Sequence, residues 1–421
     1  MADAAPSGDG PAATVEGCGP NAAPISDPIL PLRQRVFETV RAAGQIPRVD
    51  VAKALGVSAG TVTVIVSDLI RQGILAEIDA APHERTRGRP PVALQVNPHA
   101  AHVAGIKLGA DNHSGVVINL AGGGVAEATL PRRFRKAPPE EVLAEASTLL
   151  DQLRSASGLS QFDGLGLGLA GAIRHDTGVM LWSPLVEGRD VAIREMAEQA
   201  FGLPVEVDND VNLVTLAELW YGAGRDLSDF AVVTIEHGVG MGLVLGNRVY
   251  RGANGVGMEL GHTKVQLDGA LCRCGQRGCL EAYVADYALV REASVALELD
   301  RDHSAPMTEV LENLYEQARQ GNEAARAIFR RAGRYLAIGI ANVTNLFDPS
   351  RVILSGERLR YDYLYNEEVL AETNDHTLRV LGGPKRVDIH SWDNQVWARG
   401  AATLALETVT ARLTAEAGAA A

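Results

Sequence analysis

The chain of 421 residues is 46% hydrophobic and 22% charged, with a formal net charge of −13, a composition that fits a globular protein of two or three domains. Charged residues interrupt every apolar stretch, and the start Met1-Ala2-Asp3 lacks the basic and apolar regions of a secretory leader. The sequence therefore offers neither a membrane span nor an export signal and predicts a cytoplasmic protein.

Residues 1–30, rich in Ala, Gly and Pro, carry no hydrophobic period and are expected to form a disordered tail. Leu32, Val36 and Val40 at fourfold spacing then predict a helix stopped by Gly44. A short helix is expected over residues 48–55, before Gly56, and a third from the N-cap Ser58 to about residue 72, before Gly73. Residues 74–77 and 92–96 read as two strands of a wing. From Ala101 onward, apolar strands (103–108, 115–120, 164–169, 205–207, 231–235, 242–245) alternate with helices (140–154, 191–201, 213–221, 324–347, 396–413). This is an α/β pattern, and its two Gly-rich strand pairs suggest two related lobes. The chain thus divides into a tail (1–30), a winged helix-turn-helix (31–97), an α/β body (98–405), and a helix end and tail (406–421). Charge follows the same division. Residues 31–97 hold nine basic and six acidic side chains, a balance of +3 that leaves −16 for the remainder. A weakly basic head on an acidic body suits a protein that grips DNA with one module only.

The segment from Val49 to Thr63 resembles the helix-turn-helix of winged bacterial regulators. Ala52 is small enough for close helix contact, Gly56 permits the turn, and Val57 and Val62 fill the core between helices. Ser58, Ala59, Gly60, Thr61 and Thr63 are left at the start of the recognition helix as candidate contacts to double-stranded DNA. Thr61 and Thr63 would offer hydroxyls and methyls to base edges. Arg85, Arg87 and Arg89 form a compact basic run suited to a narrow minor groove. Alone, such a run reads as a solvated linker; beside a helix-turn-helix it reads as a DNA contact. The lesser alternative is a three-helix module that serves protein contact.

Cys18 stands alone, whereas Cys272, Cys274 and Cys279 fall within eight residues and follow His262. Three thiolates and an imidazole make the tetrahedral set that Zn²⁺ prefers, and Gly275 and Gly278 let the backbone curl around one ion. Four protein ligands leave no position for a catalytic water. The zinc is expected to be structural.

Gly261-His262, followed by Cys272-x-Cys274-Gly275-x-x-Gly278-Cys279-x-Glu281, resembles the signature of the ROK family of repressors, open reading frames and sugar kinases. The resemblance runs from about Ala101 to Ala405, and the fused head resembles the family's repressor branch. It implies an actin-like (ribonuclease H-like) fold of two lobes with a sugar in the cleft. In Val207-Asp208-Asn209-Asp210-Val211-Asn212, Asp210 matches the family's base toward a sugar hydroxyl. Asn209, Asp210, Glu259, His262 and Glu281 match sugar-contacting positions, with His262 serving the zinc as well. On that match the zinc knuckle, residues 262–279, locks the loop carrying Glu259 and Glu281. Ser183-Pro184-Leu185 has Leu where the kinases have Asn, so the sugar stays open; xylose is one candidate.

The nucleotide side departs further. Where the kinases resemble Asp-x-Gly-Gly-Thr-Lys, this chain has Lys107-Leu108-Gly109-Ala110-Asp111-Asn112, and its second phosphate loop begins with Glu236. A lysine cannot replace a carboxylate on Mg²⁺, and a carboxylate repels phosphate. The expectation is a non-enzymatic, sugar-responsive regulator acting as a homodimer or homotetramer, its effector a sugar or sugar phosphate and Asp210 a relic base. The alternatives are a glucokinase-like, ATP-dependent sugar kinase with an accessory head, and a DNA-binding protein whose body only dimerises.

Overall fold

The computed structural model describes residues 17–21, 30–79, 92–133, 136–296, 306–356, 373–378 and 386–415. In the head, α1 (Leu32–Ala43) turns Val36, Phe37 and Val40 inward. β1 (Ile46–Pro47) leads into α2 (Arg48–Leu55), which Gly56 closes in the left-handed conformation at φ 65°. α3 (Ala59–Arg71) is capped by the Ser58 hydroxyl, which accepts from Thr61 N at 3.1 Å. β2 (Leu75–Asp79) and β3 (Val92–Val96) pair antiparallel, completing a sheet of order β1-β3-β2. The wing is as expected, with β2 reaching Asp79; Arg85, Arg87 and Arg89 lie outside the described residues.

The first lobe contains β4 (His102–Leu108), β5 (Asn112–Asn119), β6 (Gly124–Pro131), α4 (Pro139–Ser157), β7 (Gly164–Leu169), the small hairpin β8 (Ala172–Arg174) and β9 (Val179–Trp182), α5 (Ile193–Phe201), β10 (Val205–Asn209) and α6 (Asp210–Tyr221). The second contains β11 (Phe230–Ile235), β12 (Val239–Leu245), β13 (Arg248–Tyr250), α7 (Glu281–Val284), α8 (Asp286–Ala296), α9 (Met307–Arg319), α10 (Glu323–Phe347), β14 (Val352–Gly356) and β15 (Val387–Ser391). The helix α11 (Val396–Thr414) then returns to the first lobe.

The two large sheets share one plan. Their orders are β6-β5-β4-β7-β10 and β13-β12-β11-β14-β15, each with three antiparallel strands followed by two parallel ones. One face of the first sheet carries Ile106, Leu108, Leu165 and Leu167 against α4 and α5. The other face is bare at Gly105 and Gly166, where a Cβ would stand 2.1 Å from Ala398 O and 1.7 Å from Ala401 O. Glycine there lets α11 lie directly on the strands. α6 is buried continuously from Asn212 to Trp220, as befits a helix wedged between layers. It also touches the second lobe, since a Cβ on Gly242 would meet Thr215 Oγ1 at 1.9 Å.

One expectation about the chain's ends needs correction. Residues 17–21 are not a featureless tail. Cys18 is buried, its N–H donates to Arg41 O and its thiol to Ala121 O, while Gly19 N donates to Trp220 O. Residues 406–414 form the end of α11, as expected, and it is packed: Leu406 and Val409 are buried and Thr410 accepts from Arg41 Nη1 at 2.9 Å. Head and body consequently share a continuous core in which Val36, Phe37 and Val40 join Leu216, Trp220, Trp397 and Leu406. β6, α8, α9, β14 and β15 are elements beyond those expected from the sequence. β6 and β15 expose every second side chain or more, so their hydrophobic signal is thin.

Candidate functional site

α6 begins where β10 ends, and that junction carries the central acid. Asn209 caps the helix, its Oδ1 accepting from Val211 N at 2.8 Å and its Nδ2 donating to Gly171 O at 2.7 Å. The Asn209 side chain also bonds the Asp210 carboxyl, so Asn209 serves first to hold Asp210 in the opening turn. Burial raises the Asp210 carboxyl above its usual range, and the Lys107 ammonium pulls it back down. Lys107 stands near the carboxyl end of β4, and β4, β7 and β10 run parallel side by side. The carboxyl ends of such strands form the crevice where α/β sheets bind ligands.

Glu259 and Glu281 come from the second lobe. Burial raises the Glu259 carboxyl; His262 opposes this, and the neighbouring Glu281 and Asp210 reinforce it. Thus Asp210, Glu259, His262 and Glu281, widely spaced in sequence, share one electrostatic neighbourhood. Glu281 opens α7, with its Oε1 3.4 Å from both the Tyr287 hydroxyl and the Cys272 sulfur. Tyr287 was missed in the sequence, where one tyrosine on an amphipathic helix gives no signal. Leu185 is 8% exposed in the first-lobe core, so the Leu of Ser183-Pro184-Leu185 packs inward.

His262, Cys272, Cys274 and Cys279 place one ligand atom each within 4.8 Å of the others and can hold a metal ion. Cys272 Sγ to His262 Nδ1 and Cys274 Sγ to Cys279 Sγ both measure 3.7 Å. A tetrahedron with zinc–sulfur bonds of about 2.3 Å has edges of about 3.8 Å, so the donor set fits zinc in both chemistry and size. Gly278 is required by the loop: its φ is 76° and a Cβ would stand 1.8 Å from Gln266 O. Lys264 Nζ donates to Cys279 Sγ at 2.9 Å and to Gln276 Oε1 at 2.6 Å, which ties the loop across its ends.

The first hairpin is tied from behind. Gly109 N donates to His113 Nδ1 at 3.2 Å, Arg132 Nη1 donates to Gly109 O at 2.8 Å, and His113 Nε2 lies 2.8 Å from Glu145 Oε2. Burial lowers the His113 pKa against the pull of Glu145. A neutral ring accepting at Nδ1 carries its proton on Nε2 and donates it to Glu145. The second loop bends close to the acids, for a Cβ on Gly238 would stand 3.0 Å from Glu281 Oε2.

On the head, Ala59, Gly60, Thr61, Thr63 and Val64 are exposed at the start of α3, while Val62, Val66 and Leu69 are buried. The hydroxyls are partly engaged, Thr61 Oγ1 lying 2.8 Å from Ser58 Oγ and Thr63 Oγ1 donating to Ala59 O at 2.8 Å. Ser58 works as the helix cap.

Residues 103–408 match the ROK family. The chain belongs to the ROK family. Residues 30–76 match the winged helix-turn-helix DNA-binding family, so this ROK protein carries a DNA-binding head. It is 27% identical over 352 residues to the xylose repressor of Caldicellulosiruptor bescii, covering 81% of this chain and 87% of that one. Its fold is that of a ROK family transcriptional regulator, homologous to the Escherichia coli MLC protein, with a TM-score of 0.76, 24% identity, and coverage of 91% and 97%. The ROK hexokinase of Thermus thermophilus gives a TM-score of 0.62 at 29% identity, covering 73% of this chain and 99% of the hexokinase. The actin-like, two-lobed expectation is thereby borne out. Among the described residues no single helix is long and apolar enough to cross a membrane.

Proposed function

We propose that this ROK protein is a cytoplasmic, sugar-responsive transcriptional repressor of carbohydrate metabolism. It binds operator DNA through the start of α3 and the wing, and binds its effector at Asp210, Glu259, Glu281 and His262, with Asn209 holding the junction. A structural zinc on His262, Cys272, Cys274 and Cys279 keeps the loop with two of those acids in place. The working form is a homodimer or homotetramer, because a helix-turn-helix reads paired half-sites.

The observation that carries this reading is α6. Asp210 lies in its first turn, and Trp220 in its last packs under the head, 4.2 Å from the Arg41 guanidinium of α1. A helix of this length spans about 18 Å and is stiff, so a ligand that moves its start moves the ground on which the head rests.

Two features favour a regulator over the kinase. Lys107 stands where a carboxylate would be needed to hold Mg²⁺, and the Gly109 N–H that a phosphate would require is bound to His113. Phosphoryl transfer depends almost wholly on such positioning groups. The deciding experiment captures genomic fragments on the zinc-loaded protein and then adds sugars, xylose first because of the C. bescii relative. Specific retention of a fragment and its release by a sugar is the expected result. ATP-dependent phosphorylation of a sugar, or no fragment preference, refutes the proposal.

A further inference from the structure

We infer that the effector carries an anionic group, a phosphate or a carboxylate, and that Lys107 is the residue that holds it. The inference rests on the sugar-site reading above and narrows its ligand class.

Lys107 is a half-buried ammonium with an unusual set of surroundings. On β4 it alternates with Ile106 and Leu108, which point into the first-lobe core, and so shares the face of Gly105 that α11 covers. Its Nζ lies 3.9 Å from the centre of the Trp397 ring. Among the described residues no oxygen stands within hydrogen-bond or ion-pair distance of it. An ammonium has three N–H donors, and one ring face serves at most part of that demand. A lysine so placed, in one row of the sheet with Gly168 and Asp208 at the strand ends and acting on the Asp210 carboxyl, is a donor set waiting for an acceptor.

The opposing charges decide where the anion must go. Glu259 and Glu281 offer carboxyl oxygens suited to hydroxyl groups, so a hydroxylated ring belongs on their side and the anionic group on the side of Lys107. Burial makes the Asp210 carboxyl easier to protonate; in that form it donates to an anionic oxygen instead of repelling it. The first turn of α6 adds the positive end of a helix dipole at the same place. A sugar with one charged end thus matches the cleft's own polarity, while a neutral sugar leaves Lys107 without an acceptor.

The test uses the zinc-loaded full-length protein and calorimetric titration with matched compounds: glucose, glucose 6-phosphate and glucuronate; N-acetylglucosamine and its 6-phosphate; xylose and xylonate; and the ATP analogue AMP-PNP with Mg²⁺. Within any set that binds, an anionic member should bind about tenfold or more tighter than its neutral parent, the amount one charge-assisted pair supplies. Lys107→Met should bring the two to near parity, and Lys107→Arg should restore most of the preference; operator binding by each variant checks folding. A phosphate that wins over a carboxylate, or the reverse, identifies the source of the charge. Equal or tighter binding of the neutral parent overturns the inference while leaving the sugar-responsive reading intact. So does a preference that survives Lys107→Met, or Lys107-dependent binding of AMP-PNP without any preference among the sugars. Failure of every sugar to bind overturns both.

Discussion

Glu218 shows how much one side chain can hold together. It is fully buried in α6, and its carboxylate accepts from Ala223 N at 3.1 Å, Ser355 Oγ at 2.8 Å, His390 Nδ1 at 2.8 Å and Trp392 Nε1 at 2.7 Å. Those donors belong to both lobes, so the lobes meet on one charge. A carboxylate is needed because it only accepts; an amide presents an N–H₂ to groups that are themselves donors. Glu218→Gln should therefore destabilise the protein by about 3 kcal/mol, as a broken buried network does. Urea unfolding measures this, and an unchanged midpoint would show that the network contributes nothing. None of it was legible from the local sequence, where Glu218 reads as one more helix glutamate.

At the scale of an element, the metal loop is the part most dependent on its ligands. Between His262 and Cys279 the described pairing is confined to single bridges, Lys264 with Cys279 and Leu271 with Arg277. Leu267 and Leu271 are exposed. Turns hold the rest of the loop, Cys272 N donating to Gln276 O and Gly278 N to Ala270 O, and an ion on the four ligands would add order as it does in small zinc sites. Cys272→Ser with Cys274→Ser should lose the metal, lower the melting temperature of the body and abolish the sugar response, while the head still binds DNA. Elemental analysis and titration with the effector check it. A metal-free variant that still answers to sugar would separate the zinc from the cleft. The ligand spacing was readable in advance because ligands of one ion lie on one short loop. That Glu281 and Tyr287 close over Cys272 was not.

Over the whole molecule, the join between head and body makes stability depend on pH. Burial pushes the Glu407 carboxyl up from 4.5 to about 7, against the pull of Arg251 and Arg41. The hydrogen bond to Glu218 raises His390 above 6.5. Both groups hold their protons more tightly when folded, so their contribution is complete at low pH and is lost as pH rises through the folded values. For Glu407 the window runs from 4.5 to about 7. The melting temperature should fall across that window, and Glu407→Gln should flatten the fall. If the variant keeps the parent's slope, the junction is not the titrating site. His113 and His102 act oppositely, since burial lowers both, which is why the comparison is made between parent and variant.

What sequence alone determined is chemistry that neighbours can express: the helix-turn-helix from its caps and apolar spacing, the metal loop from its cysteines, and the acid at the strand end from its motif. In each, the cooperating residues lie within a few turns of chain, so composition and period report them. Only the tertiary structure decided that residues 17–21 pack against Arg41 and Trp220, that Arg41 meets Thr410 across 369 residues, and that Lys107 faces Asp210 beside Trp397. Those pairings follow from how two sheets and α6 stack, because burial and charge act through space and not along the chain.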